Sequence, residues 1–317
     1  MTAGRRTPHQ LLDDALHGDR AAIARLLSMV ERGGDEARMV ARLTHPLAGR
    51  ARTVGITGAP GAGKSTLTGS LIGVLRGLDL RVGVLAIDPS SPLTGGAILG
   101  DRVRMQDHAT DAGVTIRSMA TRGHLGGLSL AAPEAMRVLD AVGVDVVLVE
   151  TVGVGQVEVD IASRADTTVV VLNPGWGDAI QANKAGLMEV ADVFVVNKAD
   201  RPGADDTRRD LESMLDLAGR TEQAGWRPPV VLTEGTSGRG VADLWAAIEA
   251  HGAWAQTTGD WERRRERRRR DELNEIVMRR LEQRAREQLG EQRWDHLQRE
   301  VASGRRDPWS AADELLG

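Results

Sequence analysis

The stretch Thr53 to Thr66, TVGITGAPGAGKST, constrains the chain more than any other. A short apolar run with β-branched Val54 and Ile56 reads as a buried strand, and it breaks into glycine at Gly58. From Gly58 the spacing is four residues and then Gly63-Lys64-Ser65, the pattern of a phosphate-binding loop between a strand and a helix. Each residue type has a physical reason. Gly61 and Gly63 let the backbone curl so that N–H groups converge on phosphate oxygens. Lys64 brings a cation to the β- and γ-phosphates, and Ser65 offers a hydroxyl to Mg²⁺. The helix that follows presents its positive end to the same anion. The expectation is a chain that binds a nucleoside triphosphate.

A P-loop demands a parallel sheet, and the sequence from Arg52 onward supplies one. Apolar runs at 53–57, 82–87, 114–117, 145–150, 168–172, 192–196 and 229–232 alternate with helical patterns at 65–77, 102–110, 129–142, 179–190, 204–218 and 240–250. Runs such as Val146-Val147-Leu148-Val149 do not alternate with polar residues, as expected of strands covered on both faces. The predicted class is α/β: a P-loop NTPase with a mostly parallel doubly wound sheet. Residues 1–51 read as an N-terminal helical extension, 52–253 as the nucleotide-binding domain and 254–317 as a C-terminal helical arm.

In such sheets ligands sit at the carboxyl ends of strands, so the residues just past each strand are the candidates. Asp88 ends the second strand, and Asp101 opens a helix after a loop rich in Gly, Ser and Pro. Both suit Mg²⁺ or its waters. Asp101 suits a helix N-cap equally well, and Asp88 a turn. Glu150 closes the strand Val146 to Val149 and is followed by Thr151-Val152-Gly153. An acid at that point meets Mg²⁺ in P-loop proteins, and a glycine three residues on senses the γ-phosphate. Gln156 then falls in a switch-like segment. Val154, not Gln, follows Gly153, so slow intrinsic hydrolysis is expected.

The base is read further on. Asn197-Lys198-Ala199-Asp200 directly follows a strand, about 130 residues after the P-loop, as in GTPases. An Asp carboxylate accepts from both N1–H and the 2-amino group of guanine, and adenine offers neither donor. GTPases add a Ser-Ala pair after the next strand, whose backbone meets the guanine O6. Here Glu234-Gly235 stands in its place, and a backbone N–H survives the exchange.

Bulk composition narrows the setting. The formal net charge of -4 argues against a whole-protein nucleic-acid or membrane footprint. No apolar run is long enough to span a bilayer, and no secretory h-region follows Arg5 and Arg6. With no cysteine there are no disulfides and no thiolate metal sites. The expected location is cytoplasmic. The seven His form no ligand cluster, and none is assigned a role.

Beyond Trp254 the α/β pattern stops. Residues 257 to 289 read as one long helix with Leu273, Val277, Leu281, Ala285 and Leu289 on one face. The run Arg263 to Arg270 invites a nucleic-acid reading, but from Asp260 to Glu287 11 Arg meet 8 acids at helical spacing. An oligomer arm, in a homodimer, is the preferred reading. Trp294 and Trp309 are expected to be packing anchors.

Taken together, GAPGAGKST, LAIDPSSPLTGGAILGDRVRM, TIRSMATRGHLGGLS, LVETVGVGQVEVD, GDAIQANKAGLMEVAD and VVNKAD resemble one family. It is that of the MeaB/ArgK-type GTPases, chaperones of adenosylcobalamin-dependent acyl-CoA mutases such as methylmalonyl-CoA mutase. The likeness runs from about Arg52 to Val241. It implies that Gly61, Ala62, Gly63, Lys64 and Thr66 hold phosphates and Ser65 ligates Mg²⁺. Asp88, Asp101 and Glu150 would form the acidic set around metal and water, and Asn197, Lys198 and Asp200 would select guanine. Asp178, Gln181 and Lys184 would lie in a switch that responds to nucleotide and mutase. GTP, GDP and Mg²⁺ are the implied ligands, and a mutase the implied partner. Ser118-Met119-Ala120 and Val157 depart from the family's usual residues, in regions that would touch the metal site or partner. A metallochaperone GTPase, a P-loop kinase acting on a small molecule or transport protein, and a nucleotide-dependent scaffold are the rivals.

Overall fold

The computed structural model describes residues 6–88, 108, 110–120, 125–151, 164–175, 189–219 and 225–316, without the side chains of 88, 120, 125–130 and 316. Seven strands form one sheet: β1 (Arg52–Gly58), β2 (Val82–Asp88), β3 (Val114–Ala120), β4 (Val146–Thr151), β5 (Thr167–Leu172), β6 (Val193–Asn197) and β7 (Val230–Thr233). Their order is β3-β2-β4-β1-β5-β6-β7, and every pairing is parallel. The seven expected strands are all present, each within three residues of its predicted ends. The expected helices at 102–110 and 179–190 fall almost wholly outside the described residues.

Successive side chains of a strand point to opposite faces, and both faces here are covered. One face carries α4 (Lys64–Gly77) and α7 (Val241–Thr257), which bury Val54, Ile56, Val169 and Val171 with Leu67, Leu71, Leu244 and Ile248. The alternate residues Val147 and Val149, with Leu85 and Ile87, meet α5 (Leu125–Ala141) and the N-terminal helices α1 (Pro8–Leu16), α2 (Arg20–Arg32) and α3 (Gly34–Thr44). Beneath the other half of the sheet, α6 (Ala204–Leu217) packs Leu211 and Leu215 on Phe194 and Val196. The N-terminal helices therefore share the core of the α/β body. Arg20 also donates to the Val114 carbonyl at 3.2 Å, and Glu31 pairs with Arg117, tying α2 to β3.

Asp140, near the end of α5, anchors the entry to β1. Its carboxylate accepts from the N–H groups of Gly49 (2.5 Å), Arg50 (3.2 Å) and Ala51 (3.0 Å). Asp140→Ala leaves those donors without the carboxylate and is expected to lower stability by about 1–3 kcal/mol, measured by urea unfolding. His251 has a comparable structural place. It is fully buried, 2.9 Å from Thr167 Oγ1 and 3.3 Å from Asp192 Oδ1, and it stacks on Trp254, which ties α7 to the amino ends of β5 and β6.

Two compact units are present, Met1–Arg263 and Arg264–Gly317. The second holds most of α8 (Asp260–Leu289) with α9 (Glu291–Ala302) and α10 (Pro308–Leu316). Its small core is Ala285, Trp294, Leu297 and Ala311, and the Arg286 guanidinium lies 4.7 Å from the Trp294 ring centroid. Arg293 and Arg306 both hold Glu314, the latter at 2.6 Å, and with Arg293 as the main cause its carboxyl titrates below the usual range. Trp294 is the packing anchor expected of it. Trp309 is not: it is 82% exposed. No helix among the described residues is long and apolar enough to cross a membrane.

Candidate functional site

The sheet order places β1 between β4 and β5, so three strand ends meet where the P-loop begins. Gly58 lies tight against β5: its φ is +133°, and a Cβ there would sit 2.0 Å from Val171 O. The next N–H, of Ala59, donates to the same Val171 carbonyl at 3.1 Å. Gly63 adopts a left-handed φ of +87° as the residue that caps α4. A Cβ at Gly63 would come within 2.7 Å of Asn197 Nδ2, so this glycine is required for both its φ and its lack of bulk.

Lys64 opens α4 and turns back over the loop. Its ammonium donates to Gly58 O at 2.8 Å and Ala59 O at 3.0 Å, and the residue is 7% exposed. Ser65 follows, and its hydroxyl donates to Glu150 Oε1 at 2.5 Å. Glu150 stands opposite Ile56 in the pairing of β4 with β1 and is 1% exposed. The sequence interval of 85 residues between these two side chains is closed by that strand pairing alone. A hydroxyl and a carboxylate in contact present only oxygen donors, which fits a hard cation such as Mg²⁺. Among the described residues no cluster of three or more His, Cys, Asp or Glu could hold a metal. Asp101 lies outside the described residues, as do Gly153, Gln156, Asp178, Gln181 and Lys184. Asp88 is the last residue of β2, beside Ala120 of β3. Thr66 is half-buried in the first turn of α4.

Asn197, at the end of β6, joins three elements. Its Nδ2 donates to Ala62 O at 2.8 Å, and its Oδ1 accepts from Thr233 Oγ1 at 3.1 Å and Gly235 N at 3.0 Å. Lys198, at a φ of +59°, reaches back to Gly61 O at 2.6 Å. Two of the three residues expected to select guanine, Asn197 and Lys198, thus also fasten the base-side loops to the phosphate loop. Asp200 is exposed, and neither a hydrogen bond nor an ion pair holds its carboxylate among the described residues. Glu234 is paired with Arg239 and accepts from Ser237 Oγ at 2.9 Å. Gly235 lies against α4, where a Cβ would come 3.1 Å from Leu67 N. Thr233 and Ser70, whose hydroxyl donates to Gly235 O at 2.6 Å, are participants that motif spacing did not reveal. Thr233 could have been found as the residue ending the strand before the base loop; Ser70 carries no local signal.

The sequence model of methylmalonyl Co-A mutase-associated GTPase MeaB matches residues 23–289. The chain belongs to the MeaB family. A putative GTPase of Pyrococcus abyssi is 50% identical over 308 residues, covering 97% of this chain and 95% of that protein. GTPase ArgK of Escherichia coli is 40% identical over 238 residues, 73% of this chain and 72% of its own length. The mouse mitochondrial methylmalonic aciduria type A homolog is 33% identical, across 97% of this chain and 78% of its length. A solved structure described as an LAO/AO transport system kinase superposes with a TM-score of 0.72 at 26% identity, covering 99% of this chain and 98% of that one. As a MeaB-family protein with a P-loop NTPase fold, the chain binds guanine nucleotides and is a GTPase.

Proposed function

We propose that this MeaB-family GTPase is a Mg²⁺-dependent G-protein chaperone of an adenosylcobalamin-dependent acyl-CoA mutase, methylmalonyl-CoA mutase being the leading case. The observation that carries the nucleotide half is Asn197, which joins Ala62 of the phosphate loop to Thr233 and Gly235 of the base loop. A base pocket and a phosphate cradle fastened together suit a nucleotide sensor. The family description and the mouse relative support the mutase half.

Lys64 would hold the β- and γ-phosphates, with N–H groups of Gly61 to Thr66 around them. Ser65 and Glu150 would hold Mg²⁺ directly or through its waters, and the ion would neutralise charge developing on the leaving phosphate. Asp88 and Asp101 would complete the acidic set, and Gly153 and Gln156 would report on the γ-phosphate. Asp178, Gln181 and Lys184 would carry that state to the mutase. With Val154 after Gly153, hydrolysis by the isolated chain is slow, and the partner completes the site. A turnover above ~1 s⁻¹ without partner would contradict this.

Three parts divide the work: helices to residue 51, the GTPase domain 52–253, and a dimerising arm 254–317. The exposed Leu273, Val277, Met278 and Leu281 of α8 support a homodimer. Cytoplasmic placement accompanies this reading.

Base choice is tested by Asp200→Asn. The amide can no longer accept both guanine donors, so GTP affinity is expected to fall about 100-fold while xanthosine triphosphate is admitted. Unchanged GTP affinity in competition titrations would remove Asp200 from base recognition. The partner is tested by passing the mutase over immobilised protein with GDP or a non-hydrolysable GTP analogue; retention in neither state would refute the chaperone reading. A second reading, a kinase, is favoured by the described activity of the LAO/AO structure. Appearance of labelled γ-phosphate on an acceptor, rather than as free phosphate, would decide for it.

A further inference from the structure

Asn173 follows β5 and carries a polar atom that its surroundings leave unused. Its Oδ1 is buried and has no hydrogen-bond partner among the described residues, although the residue as a whole is only half-buried. Nearly all buried polar atoms in proteins are paired, so an orphaned amide oxygen in a fixed position calls for an explanation. The position is fixed on both sides. Leu172, just before it, pairs with Val196 of β6, and Gly175, just beyond it, donates its N–H to Thr207 Oγ1 of α6 at 3.2 Å.

Strand register places that oxygen. Val169 and Val171 of β5 face α4 and α7, and Asn173 continues their alternation on the side of the sheet where the P-loop turns into α4. One step past the Leu172–Val196 pair it stands beside Asn197, whose side chain reaches Ala62 O. Lys198 follows Asn197, yet its ammonium bonds Gly61 O, beyond the end of β1. Because β5 lies between β1 and β6, the lysine side chain crosses the carboxyl end of β5, where Asn173 stands. An ammonium has three N–H donors, and Gly61 O is its one acceptor among the described residues. A donor short of acceptors and an acceptor short of donors are thus set at the same strand end.

We propose that Asn173 is a positioning residue for guanine recognition: its Oδ1 is a second acceptor for the Lys198 ammonium, engaged when the base covers the lysine stem. This rests on the reading of Lys198 as a guanine contact. A base lying along the stem displaces water from the ammonium, and in that drier setting a hydrogen bond to the charged group strengthens. Two anchors, Gly61 O on the P-loop and Asn173 Oδ1 past β5, then hold the lysine across the base. Asn173 touches no nucleotide; it acts through Lys198.

The test is a double-mutant cycle on GDP affinity, with thermal unfolding of the protein measured without nucleotide alongside. Asn173→Ala should weaken GDP about tenfold, the loss of one hydrogen bond to a charged group. Its melting temperature without nucleotide should stay level or rise, because the change removes an unpaired buried oxygen. In a Lys198→Ala background the same change should alter GDP affinity less than about twofold. GDP affinity left intact by Asn173→Ala, or weakened equally in both backgrounds, would show that the oxygen does not act through Lys198 and would overturn the inference. If Asn173→Ala does not fold, wild-type protein labelled with ¹⁵N-asparagine decides. The Asn173 carboxamide, identified by its loss in Asn173→Asp, should shift on saturation with GDP and stay in place in Lys198→Ala. The same shift in both proteins refutes the contact. Unchanged GDP affinity in Lys198→Ala alone would instead remove the guanine role of the lysine, and wild type binding ADP as tightly as GDP would remove the guanine reading itself.

Discussion

Lys64→Ala is expected to lower GTP hydrolysis about 100- to 1000-fold, the range found when a preorganised charge-stabilising donor is lost. The ammonium is buried and held over the loop by Gly58 O and Ala59 O. In a water-poor loop its charge acts at a lower effective dielectric than a surface lysine would. Lys64→Arg should fail as well, because a planar guanidinium cannot replace a point charge seated between two carbonyls at the start of a helix. Phosphate release at saturating Mg²⁺-GTP measures the effect, with GTP affinity measured separately. Activity within tenfold of wild type in the alanine variant would show that the lysine is not the phosphate cation.

The second large effect is on stability. Gly58→Ala places a methyl 2.0 Å from Val171 O and 2.8 Å from Val171 C, at a φ of +133°. Neither neighbour is a side-chain tip that can swing aside, so β1 and β5 must separate where Ala59 N–H bonds Val171 O. Backbone strain costs about 1–3 kcal/mol, and the forced separation brings the total to at least about 3 kcal/mol. Spread over a domain of this size, the melting temperature falls by about 6–12 °C. Gly61→Ala is the control. At a φ of +70° with nothing within 4 Å of its Cβ, it should cost only the left-handed penalty of about 1–2 kcal/mol. Equal losses in the two variants would mean that conformation, not the approach of β5, governs Gly58.

Much of the fold was legible because buried parallel strands leave a plain trace. Val146 to Val149 and Val169 to Leu172 are unbroken apolar runs, and both are strands covered on two faces. The helical breaks at Gly18-Asp19 and Gly33-Gly34 were equally plain, since Asp19 caps α2 through the N–H groups of Ala21 and Ala22 and Gly33 ends it at a φ of +74°. The role of Trp309 was not legible. A tryptophan signals packing only when a partner surface exists, and periodicity carries no information about that surface. The acidic set was legible as candidates, but Glu150 and Ser65 stand 85 positions apart, and only the pairing of β4 with β1 brings their oxygens to 2.5 Å.

By itself the sequence determined the strand–loop–helix of the P-loop, the parallel α/β class and the guanine motif. These depend on residue types at short fixed spacing, where local backbone geometry decides. The tertiary structure alone decided that Asn197 and Lys198 clamp the phosphate loop, that Ser70 holds the base loop, and that the N-terminal helices complete the sheet's core. Each of those is a contact between distant segments. Its existence depends on strand order, which no local pattern of side chains encodes.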